Sequence, residues 1–278
     1  MWRKYKLISF TVLLFLCLPF TLSAQTYDEL SGQAVACIGK DSLHRAEALL
    51  LEALKLEPMN SKNALLFSNL GWVQRRLGKP DKALESYSFA LNFAPSAVPV
   101  LLDRAAIYME RGENDRAYTD YCQVLDNDSR NKEALLMRAY IYMRRRDYAA
   151  ARIDYNRLLE IEPLSYSGRL GLATLEQNEG RFRESIGILD KMIAEKSDDA
   201  TLYVARADVE CDRGHEELAL VDLDEAIRLD DSLVDAYLLR GSIYLARKKK
   251  AAAKADFERS IALGVPPSDL YEQLRQCR

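Results

Sequence analysis

A strict 34-residue period constrains this chain more than any other feature. LGWVQRRLG begins at Leu70, RAAIYMERG at Arg104, RAYIYMRRR at Arg138, LATLEQNEG at Leu172, RADVECDRG at Arg206 and RGSIYLARK at Arg240, each 34 residues after the one before. Self-similarity at that spacing means one supersecondary unit used repeatedly. A single unit cannot cover its own apolar face, so neighbours must stack and share a continuous core.

Numbering each copy from one at Ala64, Val98, Lys132, Tyr166, Ala200 and Val234 exposes the internal grammar. Position eight is small in every copy: Gly71, Ala105, Ala139, Ala173, Ala207 and Gly241. Position twenty is Ala83, Ala117, Ala151, Ala219 and Ala253, with Ser185 as the exception. Position twenty-four is large: Tyr87, Tyr121, Tyr155, Leu189, Leu223 and Phe257. Apolar residues recur at three and four residues, the spacing of amphipathic helices. Small residues at eight and twenty let two antiparallel helices approach, and position twenty-four fills the space beside them. Gly78, Gly112, Gly180 and Gly214 fall where the first helix of a copy must end, since glycine accepts the left-handed conformation of a C-terminal cap.

These residues resemble the tetratricopeptide repeat family, whose pattern is W-x2-L-G-x2-Y, then A-x3-F, then P, on the same period. Tyr108, Tyr142 and Tyr244 fit position eleven, where Gln74, Glu176 and Glu210 depart; Pro95 and Pro163 fit the closing proline, which Ser129, Ser197 and Asp231 replace. The resemblance implies an all-α, right-handed solenoid of helix-turn-helix repeats at 64–97, 98–131, 132–165, 166–199, 200–233 and 234–267. A divergent copy at 27–60 precedes them, with Ala34, Ala46, Leu50, Ala53 and Pro58 in register. The tail 268–278, with Leu270, Tyr271 and Leu274 expected to face inward, reads as a C-terminal capping helix.

Position seven carries an unusual charge. Arg104, Arg138, Arg206 and Arg240 stand there beside the close-packing position eight, and each has an acid sixteen residues later: Asp120, Asp154, Asp222 and Asp256. The other three copies have neither charge, with Gln33 and Leu49, Leu70 and Ser86, Leu172 and Ile188 at the two places. A partly buried guanidinium needs a carboxylate, so the pattern predicts structural salt bridges within a repeat or to its neighbour. The run Arg144 to Arg146 ends a first helix, as Lys248 to Lys250 and Arg75-Arg76 do elsewhere, where cations meet the negative end of the helix dipole.

By the resemblance, first helices line a concave groove through positions two, five, nine, twelve and thirteen. Trp72, Leu102, Met109, Leu136, Tyr140, Met143 and Leu170 are therefore the candidate partner-binding residues. An apolar, methionine-bearing groove suits a protein or peptide segment. Family members that grip an acidic carboxyl terminus use lysine and asparagine at positions five and six. Here Ser68-Asn69, Leu102-Asp103 and Leu136-Met137 stand there, so that ligand is not expected.

Residues 1–24 read as a secretory signal peptide: Arg3, Lys4 and Lys6, then an apolar run from Leu7 to Phe20, then small residues to Ala24. The run is short for a membrane span and holds Pro19, so no stable span is expected after cleavage; an anchor through residues 7–22 is the alternative. Leu16 before Cys17 argues against lipidation. Cleavage takes 39 basic residues to 36 against 42 acidic ones, a balance unsuited to nucleic acid, which wants a clustered positive surface. His44 and His215, placed in turns, have no nucleophile or metal-ligand spacing beside them. No catalytic residue, metal, cofactor or small-molecule substrate is expected. Cys37, Cys122, Cys211 and Cys277 are too far apart in the repeat map for a disulfide framework and are expected as buried free thiols. The whole predicts a non-catalytic binding scaffold, exported, in the periplasm by resemblance to bacterial exported members. The alternative is a regulatory or assembly subunit of an envelope enzyme or secretion complex.

Overall fold

The computed structural model describes residues 25–278; the signal peptide expected at 1–24 and the alternative anchor through residues 7–22 lie outside the described residues. The described residues form α-helices and one 3₁₀ turn, without a strand, and no described helix is long and apolar enough to cross a membrane. The chain divides into two compact units, one ending at Phe93 and one spanning Ala94–Arg278.

The first unit holds α1 (Tyr27–Gly39), α2 (Leu43–Leu56), α3 (Asn63–Arg76) and α4 (Pro80–Phe93). Thr26 opens α1 with a capping box, its hydroxyl accepting from the Glu29 amide while the Glu29 carboxylate accepts from the Thr26 amide, which satisfies two of the orphan donors of a helix start. Leu30, Ala34, Ala46, Leu49, Leu50 and Val73 are fully enclosed. The link after α2 is tied down by Asn63, which has no exposed surface. Its carbonyl oxygen accepts from Tyr27 Oη at 2.9 Å and its amide donates to the Glu57 and Pro58 carbonyls. His44 sits in the first turn of α2, not in a turn between helices.

The second unit continues with α5 (Val98–Glu110), α6 (Asn114–Asn127), α7 (Lys132–Arg144), α8 (Tyr148–Ile161), α9 (Tyr166–Asn178), α10 (Phe182–Glu195), α11 (Ala200–Asp212), α12 (Glu216–Leu229), α13 (Val234–Ala246) and α14 (Lys250–Ala262). Consecutive helices pack as hairpins, and each hairpin packs on the next. Asn131, Asp147 and Ser165 cap α7, α8 and α9 by accepting backbone amides. Ala105, Ala117, Ala139, Ala151, Ala207 and Ala219 have no exposed surface, and Tyr121, Leu189, Leu223 and Phe257 are buried beside them. Ser185 keeps its place in this seam because its hydroxyl donates to the Ala173 carbonyl at 2.8 Å.

The four position-seven arginines each fork onto one aspartate of their own hairpin: Arg104 on Asp120, Arg138 on Asp154, Arg206 on Asp222 and Arg240 on Asp256, all at 2.6–2.9 Å. The aspartates are buried, Asp154 with 1% of its side chain exposed. Two of the arginines also reach back to the preceding hairpin, Arg206 to Asp190 at 2.7 Å and Arg240 to Asp224 at 2.6 Å. In the equivalent place Arg138 meets Cys122 Sγ at 3.6 Å. Where position eleven is tyrosine, the guanidinium lies over its ring: Tyr108 under Arg104, Tyr142 under Arg138, Tyr244 under Arg240.

Turns after the first helices use left-handed backbone. Gly78, Gly112, Gly180 and Gly214 have φ of 69 to 76°, and Arg146 and Lys248 adopt φ of 58° and 59° in the same place. The arginine run is thus three separate devices: Arg144 donates to Tyr140 Oη, Arg145 pairs with Asp115 at 2.5 Å and lies over the Tyr118 ring, and Arg146 makes the turn.

The tail departs from expectation at one residue. A 3₁₀ turn, Pro267–Leu270, precedes α15 (Tyr271–Gln276). Leu270 and Cys277 are buried and Leu274 packs against them, but Tyr271 is 60% exposed. Helical register carries it outward once Leu270 is fixed inward. The four cysteines are free; Cys277 is buried, whereas Cys37, Cys122 and Cys211 are half-buried.

Candidate interaction face

Within the second unit the first helices of successive hairpins, α7, α9, α11 and α13, line three adjoining cavities. One, of about 520 Å³, opens between α7 and α9 and is bordered by Leu136, Met137, Tyr140, Met143 and Leu170, with Tyr155, Gly171 and Thr174 among its other walls. A smaller one of about 110 Å³ between α9 and α11 shares Leu170 and Thr174 with it. A third, about 480 Å³ between α11 and α13, shares Ala205 and Asp208 with the second.

Four of the sequence-derived groove residues, Leu136, Tyr140, Met143 and Leu170, therefore meet around one cavity. Their spacing explains it: Leu136, Tyr140 and Met143 lie at i, i+4 and i+7 on α7 and share one face. Tyr140 is 43% exposed, a large aromatic left in solvent at the rim. Leu102 and Met109 lie half-buried on α5, outside this lining. Trp72 belongs to the first unit, where it packs against the core with the Arg76 guanidinium 5.2 Å above its ring.

Tyr155 is the wall that sequence reasoning assigned to the core. It is 4% exposed, and burial, with Tyr140 as the lesser cause, pushes its phenol up to about 12. The face changes character toward α13, where Asp208, Asp212 and Asp235 are exposed. Gln177 draws two of them together, its amide donating to Asp208 at 2.8 Å and to Asp212 at 2.7 Å. Beside them the Cys211 thiol is pushed up to about 11 by burial and then by Asp208, Asp212, Glu216 and Glu210, so it stays protonated and unreactive at neutral pH.

The acids at position eleven belong to other business. Glu176 is buried against Arg152 at 2.5 Å and Arg181, and Glu210 against Arg213 at 3.1 Å and His215 Nδ1 at 2.9 Å. Gln74 accepts from the Ser86 hydroxyl at 2.7 Å. Each replaces the usual tyrosine with a polar group whose partner the sequence also supplies. Among the described residues no group of histidine, cysteine, aspartate and glutamate has the arrangement of a metal site.

Family models described as tetratricopeptide repeat match residues 102–166 and 234–263. The chain is similar to the crystal structure of a tetratricopeptide repeat protein from Parabacteroides merdae, at 34% identity and TM-score 0.76, over 91% of this chain and 99% of that one. It is also similar to the C-terminal part of a repeat-containing protein from Cytophaga hutchinsonii, at 15% identity and TM-score 0.62, over 87% and 98% of the two chains. A third similarity is to YrrB, described as having an unusual peptide-binding site, at 17% identity and TM-score 0.56, over 67% and 95%. No curated protein matches the chain.

Proposed function

The chain belongs to the tetratricopeptide repeat family, generally a non-catalytic protein-interaction fold, and on that premise we propose that it is a binding scaffold of the cell envelope that holds a segment of a partner protein on the α7/α9 face. The observation that carries this is the cavity between α7 and α9. Its borders are apolar, its rim is an exposed tyrosine, and two of its walls are the thioethers of Met137 and Met143. Flexible thioethers conform to varied side chains, and a cavity of that size accepts one or two of them. YrrB, a remote structural relative, is described as binding a peptide, which accords with the reading.

Export is part of the proposal and rests on Arg3, Lys4, Lys6, the apolar run to Phe20 and Ala24. Catalysis is not part of it: the two histidines and the buried acids have structural partners or no reacting group beside them.

The test is a crosslinking pull-down from envelope fractions with the native chain and with Tyr140→Glu/Met143→Glu. Carboxylates placed in the apolar cavity remove the complementarity, and because Met143 also packs against the Ala139, Ala151 and Tyr155 cluster, circular dichroism of the double variant serves as the folding control. The expected outcome is a partner recovered with the native chain and lost with the double variant. Equal recovery of every protein by both chains sinks the assignment of this face.

A further inference from the structure

What the face binds follows from two features beyond its apolar lining, and it rests on the reading just given. The first is Tyr155. Its hydroxyl borders the α7/α9 cavity, and among the described residues it makes no hydrogen bond although the side chain is 96% enclosed, its exposure being 4%. Gly171 is the reason it is reachable. A Cβ at that position would lie 2.5 Å from the Tyr155 ring and 2.7 Å from its oxygen. The sixth position of the first copy is also glycine, Gly32, but a Cβ there would meet nothing within 4 Å. The remaining copies have Asn69, Asp103, Met137, Ala205 or Leu239, so among the described residues only at Gly171 does a missing sixth-position side chain leave a phenol open. The hydroxyl has no partner of its own among the described residues and is left free to pair with a polar group that enters the cavity.

The second feature is charge. From the cavity toward α13 the face presents Asp208, Asp212 and Asp235. No lysine or arginine stands at positions two, five, six, nine, twelve or thirteen of α9, α11 or α13. Gln177 holds Asp208 and Asp212 side by side, an arrangement of like charges that a cation relieves.

We propose that the occupant is a basic, aromatic segment of a partner protein: a tryptophan or tyrosine enters the α7/α9 cavity and its polar tip hydrogen-bonds Tyr155 Oη, while a lysine or arginine of the same segment meets Asp208, Asp212 and Asp235. Tryptophan and tyrosine combine a large apolar body with a polar tip, which is the shape of a cavity with greasy walls and one hydroxyl.

The experiment uses a phage-displayed library of random peptides, about twelve residues long, selected on the full chain, on Tyr140→Glu/Met143→Glu and on Asp208→Asn/Asp235→Asn, with circular dichroism as the folding control. The native chain is expected to enrich peptides pairing tryptophan or tyrosine with lysine or arginine. Those peptides, made synthetically, should weaken about tenfold or more on Asp208→Asn/Asp235→Asn and in raised salt. On Tyr155→Phe the tryptophan peptides should weaken while their phenylalanine counterparts do not. Enrichment of acidic or uncharged peptides overturns this inference and leaves the apolar face standing as a site. No enrichment over Tyr140→Glu/Met143→Glu overturns both. Self-association of the chain that Asp208→Asn/Asp235→Asn abolishes makes a second copy the occupant and also overturns it.

Discussion

Arg138 and Asp154 form a two-pronged ion pair, Nε to Oδ2 at 2.7 Å and Nη2 to Oδ1 at 2.8 Å, in which the carboxylate is all but sealed from solvent. The hydrogen bonds that Arg138 donates to Asp154 raise its pKa above the ordinary value against the opposing effect of burial. The guanidinium is therefore cationic at every accessible pH, and losing the carboxylate strands a charge in the seam between helices.

Asp154→Ala should accordingly cost about 3–5 kcal/mol, the range for breaking one side of a buried pair. Asp190→Ala should cost about 0–1 kcal/mol, because Asp190 is 53% exposed where it meets Arg206. Urea unfolding followed by circular dichroism measures both. Equal losses would show that burial does not set the strength of these pairs.

Arg146 occupies left-handed backbone at φ 58°, where four other turns of the chain have glycine. A side chain in that region costs about 1–2 kcal/mol, and glycine escapes the cost at some expense in unfolded-state entropy. Arg146→Gly should therefore raise the thermal midpoint, with a net gain of up to about 1 kcal/mol. Gly112→Ala should lower it. An unchanged or lower midpoint for Arg146→Gly would mean that its side chain stabilises the turn in a way its position does not reveal.

Much of this was legible in residue identities because the repeat register fixes both members of a contact at once. Arg138 and Asp154 lie sixteen residues apart in one hairpin, so their pairing is written in the spacing. The second contacts, Arg206 to Asp190 and Arg240 to Asp224, were not, since they depend on how one hairpin leans on the preceding one. Leu136, Tyr140 and Met143 share a helical face by spacing alone. The open phenol of Tyr155 could not be read that way, because it depends on a side chain that Gly171 lacks. Tyr271 was expected inward with Leu270 and Leu274, but Leu270 closes a 3₁₀ turn and is the residue fixed against the core, so the next residue along the chain points to solvent.

Alkaline pH should destabilise the chain. Burial first, then Tyr140, pushes the Tyr155 phenol up to about 12, and burial first, then Asp199, does the same for Tyr166. Between pH 10 and 12 the unfolded chain loses these protons and the folded chain keeps them. The unfolded state then binds fewer protons, so stability falls as pH rises through that window and is fully present below it. Urea midpoints at pH 9 and 11.5 should show the fall, and Tyr155→Phe should shrink it. A phenolate absorbance titration in which no tyrosine ionises late removes the basis for this.

Cys122 stands before Arg138 where Asp190 stands before Arg206 and Asp224 before Arg240. Cys122→Asp should supply the missing second carboxylate. Its own effect should be small, about 0–1 kcal/mol, since Cys122 is half-buried and the new pair is partly solvated. The informative quantity is coupling. In the native background Asp154→Asn leaves Arg138 without a carboxylate, whereas in the Cys122→Asp background the guanidinium keeps one within reach. Asp154→Asn should therefore cost less in the second background, and a double-mutant cycle reads the difference directly. Identical costs would mean that the arginine answers only to the acid of its own hairpin, and that the contacts to Asp190 and Asp224 contribute no stability.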